Sequence, residues 1–179
     1  RLEKHHDNAA ELKKLRRELS KTKFLDPACG SGNFLVVAYK YLRELELKIL
    51  VRLEDLGAID SLEGLEGMVS EGFVVKLEQF HGIELGEWSA QIASVAMHLV
   101  DHQANLEAEE FLGISANRFP LTQSADIRCA NALELDWASV VKFDEHTYVM
   151  GNPPFLGASL TSSAQSAQQK ALWGGLSGS

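Results

Sequence analysis

Apolar residues recur every three or four positions in three segments of the chain, which is the spacing of helices with one buried face. Residues 2–19 carry a narrow leucine stripe among charged residues and predict a lead-in helix. Residues 33–56 predict a long amphipathic helix that ends near Gly57. In the third segment, residues 88–103, we expect one buried face made of Trp88, Ile92, Val95, Ala96, Leu99 and Val100.

Short apolar segments between and after these helices predict four strands, at residues 23–26, 80–84, 126–129 and 147–151. Residues 57–72 have no sustained period and form a predicted insertion, and residues 108–124, with Pro120, form a predicted loop. The alternation of strands and helices predicts an α/β fold with a mostly parallel sheet. Such sheets bind ligands beyond the carboxyl ends of their strands.

Composition narrows the class of protein. The 179 residues are 45% hydrophobic and 23% charged, as in a globular domain, and no apolar segment is long enough to predict a membrane span. The net charge of −8 argues against this chain alone binding a polyanion. Cys29 and Cys129 form no CxxC pair, and His98 and His102 lack a third ligand, so we expect a reducing compartment and no metal.

The first candidate site directly follows the first predicted strand. Small residues there let backbone amides approach a ligand, and the next helix points its positive end at that ligand. Leu35 stands where a dinucleotide fingerprint would need glycine, and no Gly-Lys-Ser/Thr follows, so neither phosphate-loop motif is present. A plain tight turn is the competing interpretation. The string comprises Asp26, Pro27, Ala28, Cys29, Gly30, Ser31, Gly32, Asn33 and Phe34.

The second candidate is Glu84, at the end of the second predicted strand, where a carboxylate can accept both hydroxyls of a ribose. Glu84 lies 52 residues after Gly32, although about 20 is usual in dinucleotide folds. Glu54 is closer to that spacing but lies in a helical pattern, so we favour Glu84, with residues 57–72 as inserted length. The competing interpretation is a solvated acid at a strand end.

The third candidate, Gly151-Asn152-Pro153-Pro154-Phe155, is the most specific. Pro153 has no amide proton, so its own carbonyl and the Asn152 side-chain oxygen offer two acceptors to one point, which suits an NH2 group. Phe155 can stack on a planar ring. A rigid Pro-Pro turn would have the same sequence.

Together, the string 26–34 and the segment 152–155 resemble the S-adenosylmethionine-dependent DNA amino-methyltransferases. With residues 80–84 included, the chain is similar to the N6-adenine methylase core of bifunctional type II restriction-modification enzymes, in the gamma-class order of motifs. The resemblance covers about residues 20–157. It implies a Rossmann-like class I methyltransferase sheet that is incomplete at its C-terminal end.

The resemblance also implies roles for individual residues. Asp26, Ala28, Gly30 and Gly32 would hold the methionine part of S-adenosylmethionine, and Glu84 the ribose. Asn131 stands where the family often has an acid that accepts a hydrogen bond from the adenine amino group of the cofactor. The cofactor site would be completed by Pro27, Cys29, Ser31, Asn33, Phe34, Leu85 and Ala132. The catalytic pocket would consist of Asn152, Pro153, Pro154 and Phe155.

By this resemblance the chain transfers a methyl group to the exocyclic amino group of adenine in double-stranded DNA, in the bacterial cytoplasm. The recognition domain is absent from the chain, and an uncovered sheet edge invites self-association. The predicted division is a lead-in helix (1–22), a core (23–157) and a weakly structured tail (158–179). The alternatives are a cytosine-N4 DNA methyltransferase, a protein-glutamine amide methyltransferase, and a module that binds the cofactor without activity.

Overall fold

A computed structural model describes residues 8–59, 73–112 and 124–152 of the chain. The helices and strands are α1 (Ala9–Leu19), β1 (Lys23–Asp26), α2 (Asn33–Asp55), β2 (Phe80–Glu84), α3 (Glu87–Leu112), β3 (Asp126–Cys129) and β4 (Thr147–Val149). Short 3-10 helices at Leu77–Gln79 and Trp137–Ser139 precede β2 and β4.

The four strands form one parallel sheet in the order β3-β2-β1-β4. Phe24 of β1 lies beside Phe80 of β2 and Tyr148 of β4, which places β1 in the interior of the sheet. Because all strands are parallel, their carboxyl ends lie at one edge. The predicted α/β class and parallel sheet are confirmed.

Alternate residues of the strands enter two apolar clusters on opposite faces of the sheet. Phe24 and Phe80 pack with the helices α1, α2 and α3 in the larger cluster. Leu25 and Ile83 pack with Val140 and with residues of the segment between β3 and β4 in the smaller cluster. No helix among the described residues is long and apolar enough to cross a membrane.

The predicted buried face of α3 is wrong, because of its members only Val100 is fully buried. Trp88 is 79% exposed, and Ile92, Val95 and Leu99 are also exposed. The helix instead turns a face of mostly small residues inward, which lets it approach α2 closely. That face consists of Ala90, Ala93, Met97, Val100, Ala104 and Ala108.

A polar network fixes this orientation of α3 against α2. The Tyr39 hydroxyl donates to Asp101 (2.5 Å), and the Arg43 guanidinium donates to Tyr39 (2.8 Å) and to Asn105 (2.8 Å). Since buried polar groups must find partners, the network excludes the rotation that would bury the larger apolar stripe.

Several predicted boundaries also shift. Helix α3 continues to Leu112, so residues 108–112 are helical and not a loop, because Ala108 still packs in the core. Strand β4 ends at Val149 rather than at Gly151. The helix α1 begins at Ala9, where Asn8 caps it. Most of the insertion (60–72), residues 113–123 and the tail lie outside the described residues, so the division into lead-in, core and tail stays a prediction.

Glu46 is a charged residue that is fully buried, on α2. Its Oε1 accepts from Arg16 Nε (3.0 Å) and from the Val74 amide (2.8 Å), and its Oε2 accepts from the Val75 amide (2.9 Å). One carboxylate therefore joins α1, α2 and the segment that leads into β2.

We expect Glu46→Ala to lower the free energy of unfolding by about 3 kcal/mol, because it leaves two backbone amides and a largely buried guanidinium without their acceptor. The control is Glu107→Ala, which removes an exposed carboxylate 3.9 Å from Lys40 and should cost less than about 1 kcal/mol. Urea unfolding of both variants gives the comparison. Equal losses would show that the Glu46 contacts do not stabilise the fold.

Candidate cofactor and catalytic site

The predicted site residues lie at the edge of the sheet where the strands end. Asp26 is the last residue of β1 and Glu84 the last of β2, and Glu84 lies beside Cys129 at the end of β3. The chain leaves β4 through Met150 and reaches Asn152 at the same edge. The topology therefore brings three separate parts of the sequence together.

Asp26 is fully buried, yet within the described residues only one of its oxygens has a partner. Its Oδ1 accepts from the Ala28 amide (3.0 Å), whereas Oδ2 has no hydrogen-bond partner in this part of the chain. Burial raises the pKa of Asp26 above its usual value, the bond from Ala28 lowers it, and the nearby Glu84 charge raises it further. A cationic or hydrogen-donating ligand would satisfy Oδ2.

The glycine turn after β1 needs its glycines for backbone conformation. Gly30 and Gly32 have positive φ angles of 55° and 85°, which other residues rarely adopt. A side chain on Gly32 would also press on Ala93 of α3, at 3.1 Å. Beyond the turn, α2 begins with no side chain capping its first amides, so backbone donors and the positive end of the helix face the sheet edge.

Glu84 connects the end of β2 with the glycine turn. Its Oε2 accepts from the Gly30 amide (2.9 Å) and its Oε1 from the Gly86 amide (2.8 Å). A carboxylate has about four acceptor positions. Each oxygen of Glu84 therefore keeps one position for a further donor, such as a ribose hydroxyl. Glu54, the alternative acid, lies near the end of α2 and not at this edge.

Cys29 is buried, and its amide donates to the carbonyl of Ile83 (3.1 Å). A position close to the start of a helix can lower the pKa of a thiol, but the pKa of Cys29 is raised. Burial raises the pKa of Cys29 to about 12, and the negative charges of Asp26 and Glu84 act in the same direction. Cys29 thus packs in the core beside the turn, and its raised pKa disfavours the thiolate that a nucleophile requires.

Leu85, Asn131 and Ala132 lie beyond β2 and β3. Leu85 directly follows Glu84 and is 72% exposed. The Asn131 side-chain oxygen accepts from the Leu133 amide (3.0 Å) and so stabilises a turn, and the Ala132 carbonyl accepts from Trp137 Nε1 (2.7 Å). Asn131 retains its amide donors and one acceptor position for a ligand.

Asn152 is exposed at the sheet edge, two residues after Met150, whose amide donates to the Leu25 carbonyl (2.9 Å). This bond continues the pairing of β4 with β1 and fixes where the chain leaves the sheet. The other residues of the predicted pocket, Pro153, Pro154 and Phe155, lie outside the described residues.

Residues 2–178 match the family described as "MmeI, DNA-methyltransferase domain". The chain belongs to this family. Its sheet is the Rossmann-like sheet of a methyltransferase, as the resemblance at Asp26–Phe34 and Asn152–Phe155 implied.

Two relatives support the assignment to the MmeI methyltransferase-domain family. The chain is 35% identical over 172 residues to DNA methyltransferase A of Bacillus subtilis (strain 168), which covers 94% of this chain and 18% of that protein. A solved structure of the Type IIL restriction-modification enzyme MmeI in complex with DNA is 38% identical, with a TM-score of 0.81. That match covers 97% of this chain and 22% of MmeI, so the chain spans about a fifth of the length of these relatives.

Among the predicted site residues, the Ala28 amide donates to Asp26 and the Gly30 amide donates to Glu84. Asn33 and Phe34, by contrast, are exposed at the start of α2. In the described part of the chain, no group of three His, Cys, Asp or Glu side chains could hold a metal ion, and His98 and His102 are exposed on α3.

Two glycines at this edge make contacts that the sequence does not indicate, although Gly151 belongs to the third candidate segment. Gly86 supplies the second amide to Glu84, and Gly151 lies directly against the Asp26 carboxyl. Each glycine is adjacent to, or two residues from, a predicted site residue. Their positions follow only from the three-dimensional approach of separate strands.

Proposed function

We propose that this chain is the S-adenosylmethionine-binding and catalytic domain of a longer DNA amino-methyltransferase that modifies the exocyclic amino group of adenine. The observation that carries the proposal is the buried, unpartnered Asp26 oxygen beside Glu84, at the edge where Asn152 also lies. The family match and the length of the relatives support a domain of a longer enzyme.

The residues present fit S-adenosylmethionine. Asp26 Oδ2 would accept from the ammonium group of the methionine part, which removes the cost of an unpartnered buried carboxylate. The uncapped amides of α2 suit its carboxylate. A Cβ built on Gly30 would meet no atom of the described residues within 4 Å, so this part of the structure leaves space for a ligand beside the turn.

Glu84 would accept the two ribose hydroxyls at the acceptor positions that Gly30 and Gly86 leave free. Leu85 offers an apolar surface to the adenine ring of the cofactor, between β2 and the turn that holds Asn131 and Ala132. Asn131 would meet the amino group of that ring with its remaining acceptor position.

For the reaction itself, the Asn152 side-chain oxygen and the Pro153 carbonyl would accept hydrogen bonds from the two N–H groups of the target amine. These bonds hold the nitrogen lone pair out of conjugation with the base, and Phe155 would stack on the base after it leaves the duplex. Bound S-adenosylmethionine supplies an electrophilic methyl group. The nitrogen attacks this methyl group as its bond to sulfur breaks, and the methylated nitrogen, now positively charged, readily releases one proton to water. No strong general base is therefore required, and positioning and the two acceptors would provide most of the rate.

The proposal predicts that Glu84→Gln weakens binding of S-adenosylhomocysteine at least about tenfold, because a hydrogen bond to a charged group contributes about 1.5–3 kcal/mol. The matched control is Glu87→Gln, an exposed acid in the first turn of α3. Titration calorimetry on the 179-residue chain measures both affinities. Unchanged affinity in Glu84→Gln would exclude Glu84 from the cofactor site.

A second test addresses the catalytic pocket. Asn152→Ala in the longer enzyme should slow single-turnover methyl transfer about a hundredfold, since a placed acceptor contributes on the order of 3 kcal/mol in the transition state. Cofactor affinity should change much less. The control is Gln103→Ala, which removes an exposed amide on α3. Transfer at the original rate would mean that Asn152 and the following prolines form only a turn.

The nucleoside that carries the new methyl group distinguishes the alternatives. N6-methyladenine from treated DNA supports the proposal, whereas N4-methylcytosine or a methylated glutamine supports one of the other amino-methyltransferases. One relative is a DNA methyltransferase and the other was solved in complex with DNA, which favours DNA over protein as the substrate. Cofactor binding without any product would indicate a binding module.

We also infer a bacterial cytoplasmic protein that contacts double-stranded DNA through a recognition domain outside this chain, and that self-associates when isolated. In the described part of the sheet, β4 pairs only with β1, and Tyr148 and Val149 are exposed.

Self-association through this free edge of β4 predicts a light-scattering mass that rises above 19.7 kDa with concentration. Val149→Lys, which places a charge on the edge, should reduce the rise. A mass of one chain throughout the concentration range would contradict the inference.

A further inference from the structure

Gly151 lacks the usual conformational reason for a glycine. Within the described residues the glycines with positive φ are Gly30, Gly32 and Gly57, so the backbone of Gly151 would accept alanine without strain. A larger residue is excluded at position 151 because there is no room for its side chain.

A Cβ on Gly151 would lie 2.5 Å from Asp26 Oδ1 and 3.3 Å from Asp26 Cγ, with Pro27 Cδ at 3.5 Å. The carboxyl has little freedom to retreat, because Asp26 is fully buried and its Oδ1 holds the Ala28 amide. The strand cannot easily move away either, because the Met150 amide is bonded to Leu25. Only hydrogen fits between this backbone and the Asp26 carboxyl.

We propose that Gly151 is a positioning residue, whose missing side chain lets the backbone before Asn152 lie directly against the Asp26 carboxyl. The position of the target-binding acceptor and the orientation of the cofactor-binding carboxyl are then set by one contact. This inference rests on the proposed function of Asp26 and Asn152. A larger residue at position 151 displaces either the carboxyl or Asn152, and both displacements separate the cofactor from the target nitrogen.

The contact itself can be tested without any ligand, in a cycle of Gly151→Ala, Asp26→Ala and the double variant. In the natural background Gly151→Ala should lower the melting temperature by roughly 5 °C, the scale of overpacking in a chain of this size. In the Asp26→Ala background the same change should leave the melting temperature equal or higher, because alanine at an unstrained site restricts the unfolded chain. Equal lowering in both backgrounds would overturn the proposal.

The positioning role requires a second measurement, the affinity for S-adenosylhomocysteine by titration calorimetry. Gly151→Ala should weaken binding about tenfold, and should have no further effect once Asp26 is alanine. In the natural chain the ligand should also shift the nuclear magnetic resonance signal of the Asn152 side-chain amide, and this shift should be lost in Gly151→Ala. The positioning role would be overturned if Gly151→Ala bound S-adenosylhomocysteine as tightly as the unsubstituted chain and showed the same ligand-induced shift of the Asn152 signal.

The two hypotheses fail differently. If the natural chain binds no S-adenosylhomocysteine, the proposed function is wrong, and the melting-temperature cycle still decides whether the Asp26 contact restricts position 151. If the natural chain binds the ligand and the cycle shows no coupling, only the role of Gly151 is wrong.

Discussion

The carboxylate of Asp26, buried at the end of an interior strand with one oxygen unpartnered, is the constraint on which the rest of the site depends. Its place is fixed because β1 pairs with β2 on one side and β4 on the other. Leaving a buried carboxylate oxygen without a partner costs free energy. The fold bears this cost at the edge where parallel sheets of this class bind ligands.

The neighbouring backbone amides bond to the other carboxylate oxygens of the site, so among the described residues Asp26 Oδ2 keeps no hydrogen-bond partner. The Ala28 amide binds the first oxygen of Asp26, and the Gly30 and Gly86 amides bind Glu84. The donors to the two carboxylates are backbone amides and not basic side chains, so the side chains of the site carry negative charge. Such a site suits a cofactor that carries an ammonium group and ribose hydroxyls, and it is consistent with the net charge of −8. If the proposed longer enzyme binds DNA, that binding must depend on positive charge elsewhere in it.

The sequence predicted the parts of the structure that local patterns determine. The strands at 23–26, 80–84 and 126–129 and the helix α2 follow from apolar runs, glycines and helical spacing. The orientation of α3 could not be predicted from its period, because the helix carries apolar residues on opposite faces. The orientation is decided by the packing of its small inner residues against α2 and by the bond from Tyr39 of α2 to Asp101. Neither contact can be seen in the sequence of α3 alone. The approach of Gly151 to Asp26 was hidden for the same reason, since the two residues are distant in sequence and meet only in the paired strands.

The most direct test of this account is an experimental structure of the chain with bound S-adenosylmethionine or its demethylated product. The account predicts the methionine ammonium group of either ligand within hydrogen-bond distance of Asp26 Oδ2, and the ribose hydroxyls on Glu84. A ligand bound elsewhere would contradict it, for example in the groove lined by Leu15, Phe24 and Tyr148 beside β4. So would a ligand at the sheet edge that leaves Asp26 Oδ2 without a partner.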